Sequence, residues 1–407
     1  MPTGGGKSLC FQIPGLCLGA TTVVVSPLLS LMQDQVAHLV AKKVAACTIN
    51  SSLKPDERLQ RLTDFSQGKY TFVYISPETL LSQKFVAAAQ TARVKLLIVD
   101  ESHCIAEWGH DFRPEYLQIA KFLTQLPQRP TVAAFTATAT PVTQTLICTS
   151  LRLRQPQIFK QSFKRINLKL AIKICPDRFT QELLLGRILD HHRGQMGIIY
   201  SATRASAEYL AEYFGQYYPG IAAYHGGMPA DHRAQIQALF QAGKYKIIVA
   251  TNAFGMGVDQ SNIRFVVHYH VPSSLEAYYQ EIGRGGRDGA DAQTYGLFFP
   301  RDLSITAGFL PDPDSPLYVP KAAKLQTMLK FIASHTCRNQ ILLEYFGEAA
   351  PAACQSCDNC QPISWDQSLL EDQRYKTFLQ IRDRVAHQYR IPSRQLMTNQ
   401  VVRLLAL

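Results

Sequence analysis

The sequence predicts an α/β protein: two similar lobes with parallel sheets, then a small metal-binding module and a helical tail. Three observations predict it. Short apolar runs rich in β-branched residues alternate with stretches of helical spacing, this alternation occurs twice, and four of the ten cysteines cluster between 337 and 360.

The first set of runs is 21–27 (TTVVVSP), 70–78 (YTFVYISPE), 94–102 (VKLLIVDES) and 131–139 (TVAAFTATA). Such runs suit strands buried on both faces of a parallel sheet. Between them, PLLSLMQDQVAHLVAKK puts Leu28, Leu31, Met32, Val36 and Leu39 on one helical stripe. The second set is 196–203, 221–227, 245–255, 263–272 and 294–299, with a helix over 231–242 that Gly243 ends. The join falls near 160–180, where periodicity is weakest, and PDPDSP at 311–316 is too proline-rich to continue an element. The expected divisions are 1–165, 166–310, 311–365 and a tail over 366–407. In the tail, Phe378, Ile381, Val385 and Tyr389 trace an amphipathic helix. The chain ends on an apolar helix with nothing left to pack against, so this end is expected to be cut short.

Composition is ordinary for a globular chain of 407 residues, 46% apolar and 18% charged. No apolar run reaches the roughly 18 residues of a membrane span. Residues 9–25 resemble a secretory leader only in apolarity; Gln12, Pro14 and the strand-like TTVVV argue against export. The net charge of +11 suits a polyanionic partner, and equally a basic enzyme without one. Six cysteines are scattered singly, which points to a reducing compartment rather than a disulfide framework.

The chain opens MPTGGGKS, close to the phosphate-loop pattern G-x-x-x-x-G-K-[ST], with Met1 where the first glycine belongs. Gly4, Gly5 and Gly6 let backbone N–H groups turn toward phosphate oxygens. Lys7 would then reach the β/γ-phosphates and Ser8 would hold Mg²⁺. By itself the stretch also suits a flexible tail. LLIVDESH adds two carboxylates where a strand leaves a sheet: Asp100 for a Mg²⁺-bound water and Glu101 to activate the attacking water. Arg284 and Arg287 sit in a glycine-rich stretch after the helical SSLEAYYQE, suited to meeting a γ-phosphate or to salt bridges at a helix end. Trp108, Phe112 and Arg113, in CIAEWGHDFRPEY, suit base stacking or a buried core. Cys337, Cys354, Cys357 and Cys360 supply four thiolates for tetrahedral Zn²⁺. A C-x₂-C-x₂-C run can also hold an iron–sulfur cluster, but that needs a further cysteine close behind.

Taken in order, these motifs resemble the RecQ family of DNA helicases from Met1 to about Gln361. MPTGGGKS resembles motif I, VVSPLLSLMQDQ motif Ia, VDESH motif II with Ser102 for alanine, and FTATAT motif III. IIYSATR resembles motif IV, ATNAFGMGVD motif V and QEIGRGGRDG motif VI. The resemblance implies two RecA-like phosphate-loop lobes with ATP between them, Gly257 and Asp259 of motif V among the nucleotide-binding residues, and 3′-to-5′ movement on single-stranded DNA. It makes Trp108, Phe112, Arg113 and His103 the DNA-contacting and coupling residues, and Arg284 and Arg287 arginine fingers. It further implies ATP, Mg²⁺ and Zn²⁺ as cofactors, single-stranded and forked duplex DNA as partners, and work in repair and recombination. Single-strand-binding protein is an implied protein partner, and a cytoplasmic, nucleoid-associated monomer is expected.

The chain also departs from the family. About fifty residues usually precede the position of Met1, with the strand that enters the phosphate loop and an adenine-reading glutamine, so poor ATP binding is expected. No winged-helix pattern is legible in 366–407, where the helix–IPS–helix run instead resembles a small, incomplete helical DNA-binding domain. Gly285 replaces the usual alanine, His270 stands where aspartate is frequent, and VDQSN replaces a more usual lysine and proline. The rivals are a translocase or RNA helicase and a DNA-binding remnant without turnover.

Overall fold

The computed structural model describes residues 6–27, 29–50, 52–105, 114–254, 260–361, 373–389, 391–397 and 401. Its strands form two parallel sheets. The first contains β1 (Thr21–Val25), β2 (Ala46–Ile49), β3 (Phe72–Ile75), β4 (Val94–Val99) and β5 (Thr131–Ala134), in the order β2-β3-β1-β4-β5. The second contains β6 (Leu168–Ile174), β7 (Met196–Tyr200), β8 (Ile221–Tyr224), β9 (Ile247–Ala250), β10 (Ile263–His268) and β11 (Ala292–Phe298), in the order β6-β11-β10-β7-β9-β8.

Parallel neighbours need crossover helices, and those helices cover both faces of each sheet. In the first lobe one apolar layer gathers Val23, Val25, Phe65, Phe85 and Phe122, and the other gathers Phe11, Val24, Met32, Phe72 and Ile98. Alternate residues of β1 therefore feed opposite layers, which is why TTVVV is apolar throughout and wholly buried. From β1 the chain passes to the edge strand β2, returns to β3 beside β1, then crosses to β4 on the other side of β1. That reversal opens a crevice beyond the carboxyl ends of β1 and β4, the usual ligand position in such sheets.

Two strands escape the sequence pattern. β2 is a four-residue edge strand. β6 lies in the stretch of weakest periodicity because it is also an edge: Leu168 and Leu170 are buried while Lys169 faces solvent. The expectation of burial on both faces fails at β5, where Thr131 is exposed and the next three residues are half-buried. Leu9, Ile13 and Leu16 of the helix Lys7–Cys17 are also exposed.

The cysteine module packs on the second lobe. Its helices Tyr318–Ala333 and Arg338–Tyr345 share an apolar cluster with Tyr278, Tyr279 and Ile282. The cysteine loop also extends the sheet. Leu170 N–H donates to Ser356 O at 3.0 Å, Asp358 N–H donates to Leu170 O at 2.9 Å, and Cys357 bridges Leu170 in parallel. In the tail, the helix Gln373–Gln388 packs Phe378 and Leu379 with Phe179 and Met397, while Ile381 and Tyr389 are exposed. The expected stripe is thus only partly buried. No helix among the described residues is long and apolar enough to cross a membrane.

Candidate nucleotide and metal sites

The helix Lys7–Cys17 starts directly after Gly6, whose φ of +78° lies in the left-handed region that favours glycine. Lys7 Nζ lies 3.7 Å from Glu101 Oε1. Ser8 Oγ accepts from Gln35 Nε2 at 3.3 Å, and Gln35 in turn accepts from Tyr74 Oη at 2.8 Å. The serine is therefore oriented by groups from a second helix and from β3. Gly4 and Gly5 lie outside the described residues.

β4 delivers the two carboxylates to the same end of the sheet. Asp100 N–H donates to Val25 O at 2.9 Å, and the Tyr116 hydroxyl donates to Asp100 O at 2.9 Å. Glu101 has φ +46°, a conformation that costs about 1–3 kcal/mol for a residue with a Cβ. The strand ends there, and the chain turns into a short 3₁₀ helix, Ser102–Ile105. Ser102 accounts for its departure from alanine: its N–H and hydroxyl both bond Phe135 O, at 2.9 and 3.1 Å.

Burial, reinforced by the neighbouring Glu101 charge, pushes the Asp100 carboxyl up to about 6 against the opposing pull of Lys7. Burial also works to raise Glu101, but Lys7, His103 and Arg284 outweigh it and hold that carboxyl well below the usual range. Two crowded carboxylates, one of them raised by burial, suit a hard divalent cation, and the Ser8 hydroxyl follows Lys7, which lies against Glu101. Ser8 and Asp100 are the residues that would hold Mg²⁺.

From Glu101 a polar chain runs across the seam between lobes. His103 Nδ1 lies 3.2 Å from Glu101 Oε2 and 3.0 Å from Thr136 Oγ1. Gln280 Nε2 of the second lobe donates to Thr138 Oγ1 at 2.8 Å and lies 3.4 Å from His103 Nε2. If Gln280 donates to Nε2, the His103 proton sits on Nδ1 and faces Glu101. His103 is 2% exposed. The ring thus lies between Glu101, Thr136 and Gln280, a position suited to a relay between the carboxylates and the second lobe.

Arg284 is buried and close enough to Glu101 for its charge to lower that carboxyl. Its Nε has no hydrogen-bond acceptor among the described residues. A buried guanidinium N–H without an acceptor is costly, and an anionic oxygen in the seam would supply one. Arg287 is half-buried, and both arginines act electrostatically on the Tyr200 hydroxyl. Trp108, Phe112, Arg113, Gly257 and Asp259 lie outside the described residues.

The second site is the cysteine cluster. The Sγ atoms of Cys337, Cys354, Cys357 and Cys360 all lie within 4.8 Å of one another, with Cys354 and Cys360 at 4.0 Å. Tetrahedral Zn²⁺ with ~2.3 Å bonds to sulfur spaces its ligands about 3.8 Å apart, so the four thiols fit it with small adjustments. Ser356 N–H and Oγ both lie 3.4 Å from Cys354 Sγ, as donors to a thiolate would. Arg338 grips Asp358 with Nε at 2.6 Å and Nη2 at 3.0 Å, and Asp358 also accepts from Ile172 N–H at 2.8 Å.

Sequence reasoning missed Gln280 and Thr138. Both lie inside motifs that were recognised, but their partnership across 142 positions leaves no trace in spacing.

A phosphate loop and carboxylate pair on one parallel-sheet lobe, faced by an arginine turn on another, define the class of two-lobed helicases. Residues 1–146 match the DEAD/DEAH box helicase family, 179–289 the helicase conserved C-terminal domain, and 318–361 the RecQ zinc-binding family. The ATP-dependent DNA helicase RecQ of Pasteurella multocida is 38% identical over 99% of this chain and 64% of its own length. That of Bacillus subtilis is 40% identical over 88% of this chain and 61% of its own length. This chain belongs to the RecQ family, and it spans about three-fifths of the length of these relatives. The solved structure of S. cerevisiae Dbp5 bound to RNA and ADP BeF3 superposes with a TM-score of 0.60, covering 82% of this chain and 88% of that one. At 16% identity it shows the fold alone.

Proposed function

We propose that this chain is an ATP-driven DNA helicase that moves 3′ to 5′ on single-stranded DNA and opens forked duplexes. The observation that carries the reading is the buried Arg284 of one lobe acting on Glu101 of the other, with an Nε still short of an acceptor. Lys7 and the loop N–H groups bind the phosphates. Ser8 and Asp100 would hold Mg²⁺, which when bound would neutralise phosphate charge. Glu101, ionised and kept so by its cationic neighbours, orients and deprotonates the attacking water. Arg284 and Arg287 meet the terminal phosphate, a contribution worth roughly 10³–10⁵ in rate.

Lobe closure then follows from the same contacts. With nucleotide bound, both lobes hold one ligand; after hydrolysis the grip from the second lobe weakens and the lobes part. Gln280 ties that motion to motif III through Thr138 and to Glu101 through His103. Trp108, Phe112 and Arg113 stack on bases and sense the strand. Zn²⁺ on Cys337, Cys354, Cys357 and Cys360 is structural. Its proposed work is on forks in repair and recombination, in the cytoplasm; the relatives' printed names give the coarser activity, ATP-dependent DNA helicase.

The test is ATP turnover with and without single-stranded DNA, alongside unwinding of forked DNA with 3′ or 5′ tails and of an RNA duplex. DNA-stimulated turnover and opening of 3′-tailed DNA are expected, and Lys7→Ala abolishes both. Salt-sensitive DNA binding without turnover, unaltered by Lys7→Ala, would make the chain a binding protein and sink the motor reading.

A further inference from the structure

The arginine turn is held by a segment outside the helicase motifs. Arg284 lies between Gly283 and Gly285, and a single side chain grips both flanks. Arg165 Nη1 donates to Gly283 O at 3.4 Å, while Nη2 donates to Gly285 O at 2.9 Å and to Gly286 O at 3.1 Å. Asn167 Nδ2 adds bonds to Gly286 O and Ala290 O, both at 2.8 Å. Arg165 Nε reaches back to Asn167 Oδ1 at 3.4 Å, so the two holders brace each other.

All of the donors that reach the turn go to main-chain carbonyls, so what they fix is the path of the backbone. Gly286 has φ +56°, and a Cβ there would meet Ala290 O at 2.4 Å and Asn167 Nδ2 at 2.5 Å. The turn is therefore packed onto its holder without room for a side chain, and Arg287 follows directly.

The holder is itself anchored. The Phe163 ring stacks on Phe346 with centroids 4.3 Å apart, and its carbonyl accepts from the Tyr279 hydroxyl at 2.7 Å. Glu348 accepts from Phe163 N–H and from Ser162 Oγ, each at 2.8 Å. The connection between lobes is thus pinned to the cysteine module at one end and to the arginine turn at the other.

We propose that Arg165 is a positioning residue for ATP hydrolysis, acting through Asn167 and the turn carbonyls to hold Arg284 and Arg287 in the seam. This rests on reading those two arginines as groups that meet the terminal phosphate. A guanidinium fork can serve three carbonyls at once; a lysine in its place serves fewer and holds the turn less well.

The test uses the full chain with Arg165→Gln and Arg165→Lys, each alone and on an Arg284→Ala background. Misplacing a reacting group by ~1 Å costs on the order of 10²-fold, so Arg165→Gln is expected to lower kcat by roughly 10- to 100-fold. KM for ATP should move by less than about threefold, as for a group acting mainly in the transition state. Arg165→Lys should fall between. On the Arg284→Ala background Arg165→Gln should slow turnover further by clearly less than it does alone, because only Arg287 is then left to misplace.

An unchanged kcat, or a full additional loss on that background, overturns the proposal. If the unaltered chain hydrolyses no ATP, the functional reading fails, and amide exchange decides the packing claim alone. Arg165→Gln should then speed exchange at 283–290 by at least about tenfold while β10 is unmoved; equal exchange in both proteins overturns it.

Discussion

Gln280 of the second lobe donates its side-chain amide to the Thr138 hydroxyl of the first at 2.8 Å, and the same nitrogen lies 3.4 Å from the buried His103 ring. One amide thus joins two motifs of the first lobe to the arginine turn of the second. Gln280→Ala should lower DNA-stimulated turnover by about tenfold, as loss of an aligned contact in a catalytic network does. Nucleotide affinity and melting temperature should stay close to those of the unaltered chain. Because Thr138→Val cuts the same bond, combining the two should add little; additive losses would show that they act separately.

Asp100 gives a pH signature. Burial and the Glu101 charge push its carboxyl up to about 6. Above that pH it is ionised and can hold a cation; as pH falls through 6 it takes a proton and the site weakens. Mg²⁺ affinity measured with a fluorescent nucleotide should be flat above about pH 7 and fall by up to about tenfold per unit below 6. Stability runs the other way. The folded protein keeps a proton that the unfolded chain releases between its ordinary value of 3.8 and about 6, so this group favours the metal-free fold as pH drops through that window. A flat Mg²⁺ profile would contradict the assignment of Asp100.

The two glycines of the arginine turn should respond differently to alanine. At Gly285 a new Cβ would lie 3.2 Å from the Ala292 methyl, a contact that small shifts relieve. At Gly286 it meets Ala290 O at 2.4 Å in a left-handed conformation. Gly286→Ala should cost upward of about 1–3 kcal/mol locally and abolish turnover, whereas Gly285→Ala should leave turnover within about threefold. Urea melts and ATPase rates check both.

Loss of zinc should reach beyond the module. The loop that carries Cys354, Cys357 and Cys360 also pairs with the edge strand β6 and holds Ile172 N–H through Asp358. Cys357→Ser should lower bound zinc, measured by emission spectroscopy, from one ion per chain. It should also depress the melting temperature by several degrees, since metal binding and folding are linked, and speed amide exchange at Leu170 and Ile172. Full zinc content in the variant would overturn the four-thiolate assignment.

Chemistry written in short contiguous runs was legible in the sequence. Lys7 and Ser8 follow glycines, Asp100 and Glu101 end an apolar strand, and Cys354, Cys357 and Cys360 at metal spacing fall in one loop, with Cys337 at the start of a nearby helix. Those relations hold over a few residues, so local geometry dictates them. The same reasoning read β1, β3 and β4 correctly because central parallel strands are apolar on both faces. It passed over β2, whose four residues ACTI are buried but too short a run to stand out, and β6, where Lys169 faces solvent and interrupts the apolar run.

What only the tertiary structure decided is which distant groups share a space. His103, expected to couple the carboxylates to the aromatic loop, is buried between Glu101 and Gln280; Arg165 lies in a connection of weak pattern and grips the carbonyls around Arg284. Sequence specifies such pairs only through the packing of whole lobes, because hydrogen bonds depend on distance in space and carry no periodic imprint along the chain. The local motifs thus determined which chemical groups this chain carries, while the packing of two sheets around one seam decided which residues lie beside them.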